Sequence, residues 1–60
     1  MITVLIVEDD DTLRDALADT VELAQYKVLS ANGGQQALTI LSENKVNIVV
    51  SDVRMDGMDG

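Results

Sequence analysis

Two apolar runs in this chain are each followed at once by acidic residues. Residues 2–7, Ile-Thr-Val-Leu-Ile-Val, precede the acids of residues 8–11, and residues 46–51, Val-Asn-Ile-Val-Val-Ser, precede Asp52. Both runs are rich in β-branched residues without strict alternation, the pattern of strands that helices cover on both faces. The carboxyl ends of parallel strands share one edge, where open α/β sheets bind their ligands. The sequence therefore predicts an acidic site at that edge, provided that the two strands are neighbours.

The segments between the strands predict two helices. A first apolar stripe at helical spacing begins at Leu13, and Arg14 falls on its opposite, solvated side. The stripe consists of Leu13, Ala16, Leu17, Val21 and Ala24. A second stripe begins at Ala37, Leu38 and Leu41, with Ile40 nearby, and this helix should end near residues 43–44. Residues 28–31 are predicted to form a strand between the helices, and residues 32–34, Asn-Gly-Gly, are predicted to break it because they tolerate positive φ.

This β-α-β-α-β order predicts an α/β fold with a three-stranded parallel sheet. Right-handed crossovers give the strand order 2-1-3 if the chain reverses direction after the second strand, and Val7 and Ser51 are then neighbours. A simple 1-2-3 order would instead separate the two acidic clusters by one strand. With 60 residues the chain holds one compact unit at most, since so short a chain buries only roughly 60% of its unfolded surface.

Composition narrows the classes of function. The net charge of −7, with only four Lys and Arg residues, disfavours direct contact with nucleic acid, because phosphate backbones recruit basic side chains. The absence of Cys and His removes zinc sites and triad-type catalysis. No basic segment opens the chain, and no apolar run approaches the ~20 residues of a membrane span. We therefore expect a cytoplasmic protein without membrane contact.

The motifs, taken in order, resemble the receiver domain of bacterial two-component response regulators. The resemblance is carried by residues 4–10, Val-Leu-Ile-Val-Glu-Asp-Asp, by Leu13-Arg14, by residues 49–55, Val-Val-Ser-Asp-Val-Arg-Met, and by residues 58–60, Met-Asp-Gly. It implies a flavodoxin-like receiver fold, of which residues 1–60 are expected to be the N-terminal half, truncated after the third strand and its loop. Within the family, the chain is similar to the receiver of an enhancer-binding, flagellar-type transcriptional activator.

The resemblance also implies roles for individual residues. Asp52 is then the phospho-acceptor, and Glu8 and Asp9 hold Mg²⁺ together with Asp52, directly or through water. Arg54 contributes its backbone carbonyl to the metal. The implied partner of the intact protein is a sensor histidine kinase, and the module itself is regulatory rather than an enzyme. The donor set is chemically consistent, because Mg²⁺ takes oxygen ligands and usually one or two carboxylates plus phosphate oxygens.

The chain departs from the family pattern in two ways. Asp56 stands where receivers usually have proline, so the loop is expected to be less constrained. The family's hydroxyl residue on the fourth strand and lysine on the fifth, which contact the phosphoryl group, have no counterpart among these 60 residues. Phosphorylation of this form is therefore expected to be impaired.

Two alternatives remain open from the sequence. One is a half-domain that forms homodimers or larger assemblies through an open edge of its third strand and has no phosphotransfer activity. The other is a haloacid-dehalogenase-type phosphatase, in which Asp10 and Thr12 would fit the motif only with Glu8 in the nucleophile position. That substitution disfavours the phosphatase.

Overall fold

The computed structural model describes residues 1–51, in which strands and helices alternate. The elements are β1 (Thr3–Val7), α1 (Asp11–Leu23), β2 (Lys27–Ala31), α2 (Gly34–Glu43) and β3 (Ile48–Ser51). The predicted β-α-β-α-β order is confirmed. Residues 52–60, which include Asp52 and Arg54, lie outside the described residues.

The three strands form one parallel sheet in the order β2-β1-β3. The predicted 2-1-3 order is confirmed, and the 1-2-3 alternative is wrong. Val7, the last residue of β1, lies opposite Ala31 on one side and Ser51 on the other. As the central strand, β1 carries the two most deeply buried side chains, Leu5 and Ile6, each 0% exposed.

The helices cover opposite faces of the sheet, because right-handed crossovers change face when the chain reverses direction after β2. On one face Ala37 of α2 packs with Leu5 and Ala31, and Ile40 and Val46 lie against this cluster. On the other face α1 contacts β1 and β2. Neither helix contacts β3 within residues 1–51. The middle of the sheet is therefore closed on both faces, while its β3 side is open.

Helix α1 turns a different side to the sheet from the one predicted. Arg14, Leu17 and Val21 are half-buried, whereas Leu13 is 40% exposed. The prediction that placed Leu13 on the covered side and Arg14 in solvent is wrong. A long arginine stem can cover apolar surface while its guanidinium reaches a polar partner, so Arg14 occupies a position that the hydrophobic pattern assigned to leucine.

Helix α2 buries only part of its predicted stripe. Ala37 is 7% exposed, but Leu38 is 68% exposed. Ile40, one turn after Ala37, is half-buried and takes the place beside the core that the pattern gave to Leu38. The helix also begins at Gly34, with Gly33 as its N-cap, three residues before the first apolar position of the stripe.

Positive φ occurs after α1 and not at Gly33 or Gly34. The predicted break after the second strand is confirmed, since β2 ends at Ala31 and Gly33 is the N-cap of α2, with an extended φ of 176°. Gln25 has a φ of 71° and is the one non-glycine residue with positive φ in the described part of the chain. Its amide donates to the Glu22 carbonyl at 2.8 Å, as expected of a left-handed residue that ends a helix.

Replacing Gln25 with glycine should stabilise the fold. The left-handed conformation costs an L-residue roughly 1–2 kcal/mol, and the greater freedom of glycine in the unfolded chain offsets part of that gain. We expect the free energy of unfolding to rise by about 0.5–1 kcal/mol, measured by urea denaturation. The matched control is Gln35→Gly in α2, which should lower it by up to about 1 kcal/mol. If both variants shift stability in the same direction, the assignment of Gln25 to a strained turn is wrong.

Strand β3 begins two residues later than predicted. The Asn47 side-chain Oδ1 accepts from the Thr3 amide at 2.9 Å, and the Asn47 amide donates to the Thr3 carbonyl at 2.9 Å. A side chain thus replaces one backbone bond of the ladder, which starts only at Ile48. In the part that the structure describes, Ile48 and Val49, which point to opposite faces of the sheet, are 44% and 49% exposed.

Candidate functional site

The candidate site lies where β1 and β3 end side by side. Val7 is paired with Ser51, Glu8 directly follows Val7, and Asp52 directly follows Ser51 in the chain. The structure describes Glu8 and Asp9 of the predicted site residues. The positions of Asp52 and Arg54 fall outside the described range, so the convergence of all four residues stays a prediction.

Glu8 is a buried carboxylate at the end of the central strand. It is 2% exposed, and its amide donates to the Ala31 carbonyl at 3.0 Å, which extends the pairing of β1 with β2 beyond Val7. Its Oε2 accepts from the Asp10 amide at 3.0 Å. A buried carboxylate is tolerated only when polar partners replace water, and this amide is one of them. The side chain is therefore folded back over the loop that follows it.

The next acids are divided between two tasks. We call residues 8–11 the acidic loop. The Asp10 Oδ1 accepts from the Leu13 amide at 3.0 Å and caps α1, and Asp11 forms an ion pair with Arg14 in the first turn of the helix. Asp9 is exposed. Asp10 and Asp11 therefore hold the start of α1, while Glu8 and Asp9 are the candidate metal ligands of the loop.

Arg14 is the residue of the site that sequence reasoning missed. Its Nη1 donates to the Glu8 carbonyl oxygen at 3.0 Å, and its Nη2 donates to the Asp11 carboxylate. The side chain is 20% exposed, so the interpretation of Arg14 as a solvated residue is wrong. The available signal was its spacing of three residues from Asp11, at which opposite charges on a helix meet.

The described residues fit the donor chemistry of Mg²⁺ without completing a site. Residues 1–51 contain no group of three His, Cys, Asp or Glu side chains placed to hold a metal ion, in keeping with the use of Asp10 and Asp11 by the helix. Glu8 and Asp9 supply the hard oxygen donors that Mg²⁺ prefers. The third carboxylate of the predicted site, Asp52, is beyond this range.

The helices of residues 1–51 include none with the length and apolar character of a membrane span.

Comparison with known families decides the class of protein. The model of the response regulator receiver domain matches residues 4–60. The chain belongs to the response regulator receiver family. The predicted resemblance is thereby confirmed, and these receivers are regulatory modules of two-component signalling. The family model that matches is the receiver domain, whereas the haloacid-dehalogenase-type alternative was a phosphatase.

The similar curated proteins are much longer than this receiver chain. Response regulator protein FleR of Pseudomonas aeruginosa is 44% identical over 57 residues, which cover 95% of this chain and 12% of FleR. The C4-dicarboxylate transport transcriptional regulatory protein DctD of Rhizobium meliloti is 45% identical over 58 residues, 97% of this chain and 13% of DctD. Sensor histidine kinase RcsC of Salmonella typhimurium is 44% identical over 57 residues, 95% of this chain and 6% of RcsC. No solved structure gives a significant match.

Proposed function

We propose that this receiver accepts a phosphoryl group on Asp52, with Mg²⁺ held by Glu8, Asp9, Asp52 and the backbone carbonyl of Arg54. The observation that carries the proposal is the parallel pairing of β1 with β3, in which Val7 lies opposite Ser51. The strand that leads into Asp52 is thereby tied to the strand that leads into the acidic loop. The proposed phosphodonor is a sensor histidine kinase.

The proposed reaction is a phosphoryl transfer to a carboxylate. A carboxylate oxygen of Asp52 forms a bond to phosphorus, the bond from phosphorus to the imidazole nitrogen of phosphohistidine breaks, and its electron pair leaves with the imidazole. The product is an acyl phosphate. When bound, Mg²⁺ supplies charge neutralisation at the phosphoryl oxygens. The chain itself contributes the nucleophile and the oxygen ligands.

Titration with Mg²⁺ followed by NMR tests the metal site. We expect the largest shifts of amide resonances at Glu8, Asp9 and Asp52, with much smaller shifts at the exposed acids Asp19 and Glu22. Equal shifts at both groups would show that no specific site forms.

Matched charge variants sharpen that experiment. Asp9→Asn removes one proposed ligand and should weaken Mg²⁺ binding about tenfold or more, because a charged oxygen ligand of a hard cation is lost. Asp19→Asn removes the same charge from the exposed surface of α1 and should leave the affinity nearly unchanged. An equal effect of the two variants would contradict a direct role for Asp9.

We expect the 60-residue chain by itself to be phosphorylated slowly. It has no counterpart to the hydroxyl and the lysine that the family directs at the phosphoryl group, and loss of one such stabilising group typically costs on the order of 10²-fold or more in rate. Incorporation from acetyl phosphate at the rate of an intact receiver would refute this expectation.

The relatives support a proposal for the wider role of the receiver. DctD is by name a transcriptional regulatory protein and FleR a response regulator, and we propose that this receiver controls transcription in an enhancer-binding, flagellar-type activator. This module would act in the cytoplasm without touching nucleic acid itself, in keeping with the net charge of −7.

The exposed side of β3 favours a second proposal, self-association of this 60-residue chain. Val49 and Val50 are 49% and 36% exposed, and Ile48 is 44% exposed, so the strand offers apolar side chains on both faces beside an edge that β1 does not occupy. Such an edge is a template for another strand. Two copies related by a two-fold axis would pair β3 with β3 antiparallel and cover the same patch on each.

Sedimentation at micromolar concentration tests this dimer. The charge of −7 per chain opposes association, so the dimer should tighten as salt screens the repulsion. Val49→Lys places a charge in the paired strands and should give a monomer, whereas Leu23→Lys adds the same charge at an 83% exposed site and should leave the dimer intact. A wild-type monomer at all salt concentrations would end the proposal.

A further inference from the structure

We propose that Arg14 is a positioning residue that holds the acidic loop in the shape that presents Glu8 and Asp9 to a divalent cation. The inference rests on the proposed metal site and adds a residue that lies outside its ligand set. It is carried by two hydrogen bonds from one guanidinium, to the Glu8 carbonyl and to the Asp11 carboxylate.

The two acceptors lie at opposite ends of the acidic loop. The Glu8 carbonyl belongs to the end of the β1 pairing, since the Glu8 amide still bonds to Ala31 at 3.0 Å. The Asp11 carboxylate belongs to the first residue of α1. Arg14 therefore fixes the distance between the strand end and the helix start, and the intervening backbone has few ways to connect them.

The loop path in turn sets the direction of the Glu8 carboxylate. Its Oε2 accepts from the Asp10 amide at 3.0 Å. A change in the backbone at Asp10 would therefore move the donor that holds the Glu8 carboxylate. Asp10 is also the cap of α1 through Leu13. Loosening Arg14 would therefore reach the Glu8 carboxylate through the Leu13–Asp10 and Asp10–Glu8 hydrogen bonds.

Two possible roles of Arg14, as a positive charge and as a positioning residue, predict opposite effects on cation binding when its side chain is removed. A positive guanidinium beside a cation site repels the ion, so if its charge alone mattered, removing it would strengthen Mg²⁺ binding. If Arg14 positions the loop, removing it weakens Mg²⁺ binding. Lysine separates the two, because it keeps the charge but cannot reproduce a rigid fork that donates to two acceptors at once.

The first test needs no metal. In Arg14→Lys, hydrogen exchange at the Asp10 and Leu13 amides should become about tenfold faster, the size expected when a charge-assisted hydrogen bond is lost. The amide of Leu29 in β2 should be unchanged and shows that the sheet is folded. Asp11→Asn, which weakens only one of the two contacts, should give a smaller change. Unchanged exchange at Asp10 in both variants would overturn the proposal.

The second test measures Mg²⁺ affinity by NMR titration. Arg14→Lys should weaken binding by about tenfold at unchanged net charge, whereas Lys45→Gln, which removes an exposed cation before β3, should leave it equal or slightly tighter. Equal affinity of Arg14→Lys and wild type would overturn the positioning role. If the wild type shows no specific Mg²⁺ shifts, the proposed metal site is wrong, and the exchange experiment alone then decides whether Arg14 holds the loop.

Discussion

Replacing Leu5 with alanine is expected to unfold most of the chain. Leu5 is 0% exposed and packs against Ala31 and Ala37 between the sheet and α2. Truncation of such a leucine costs about 2–5 kcal/mol, and a protein of this length has a stability of only several kcal/mol. Far-UV circular dichroism at 25 °C, followed by urea denaturation, measures the loss.

Leu38→Ala provides the matched control for that experiment. The same atoms are removed from a side chain that is 68% exposed, so the stability should stay within about 0.5 kcal/mol of the wild type. A comparable loss in the two variants would mean that α2 packs on the sheet by a different face from the one described.

The second large effect is expected at the proposed acceptor. Asp52→Asn replaces the attacking carboxylate by an amide, which is not a nucleophile at neutral pH, and incorporation of phosphate should fall below detection. Intact-mass spectrometry after long incubation with acetyl phosphate and Mg²⁺ measures it, and peptide mapping locates the modified residue.

Asp56→Asn controls for the loss of one negative charge four residues further along the chain. It should retain the slow incorporation of the wild type. Phosphate on the Asp52→Asn variant, or no incorporation in any of the three proteins, would show that Asp52 is not the acceptor in this chain.

The order of the strands could be predicted from the sequence because few topologies satisfy its constraints. Two β-branched apolar runs, two helical stripes and right-handed crossovers left a choice between 2-1-3 and 1-2-3. In the order 2-1-3, the two helices cover opposite faces of the sheet. The pairing of Val7 with Ser51 follows directly from that order, as predicted.

The side that α1 turns to the sheet could not be predicted in the same way. The predicted stripe and the side that α1 buries share Leu17 and Val21, and they differ in Leu13 against Arg14 and in Ala16 against Ala18. Since the alanines are equally apolar, the pattern distinguishes the two sides mainly through the first residue. A scale that counts arginine as polar selects Leu13, while the structure uses the apolar stem of Arg14 and its two acceptors. The missed contact depends on the loop conformation, which periodicity does not contain.

Two further features, the turn after α1 and the start of β3, could not be predicted from the sequence for related reasons. Gln25 adopts a φ of 71° although glutamine is not one of the residues that signal a turn. Asn47 shortens β3 through its side-chain bond to Thr3, an interaction between residues far apart in the chain. Local patterns report neither.

The open flanks of β3 have a consequence for the timing of any chemistry at its end. Within residues 1–51 this strand is held by β1 alone, so its opening free energy should be the lowest of the three strands. If Asp52 reacts only while β3 is closed, its apparent reactivity is scaled by the closed fraction. A molecule or segment that covers Ile48 and Val50 would then increase the fraction of time in which β3 is closed. It would thereby raise the reactivity of Asp52 without contacting it.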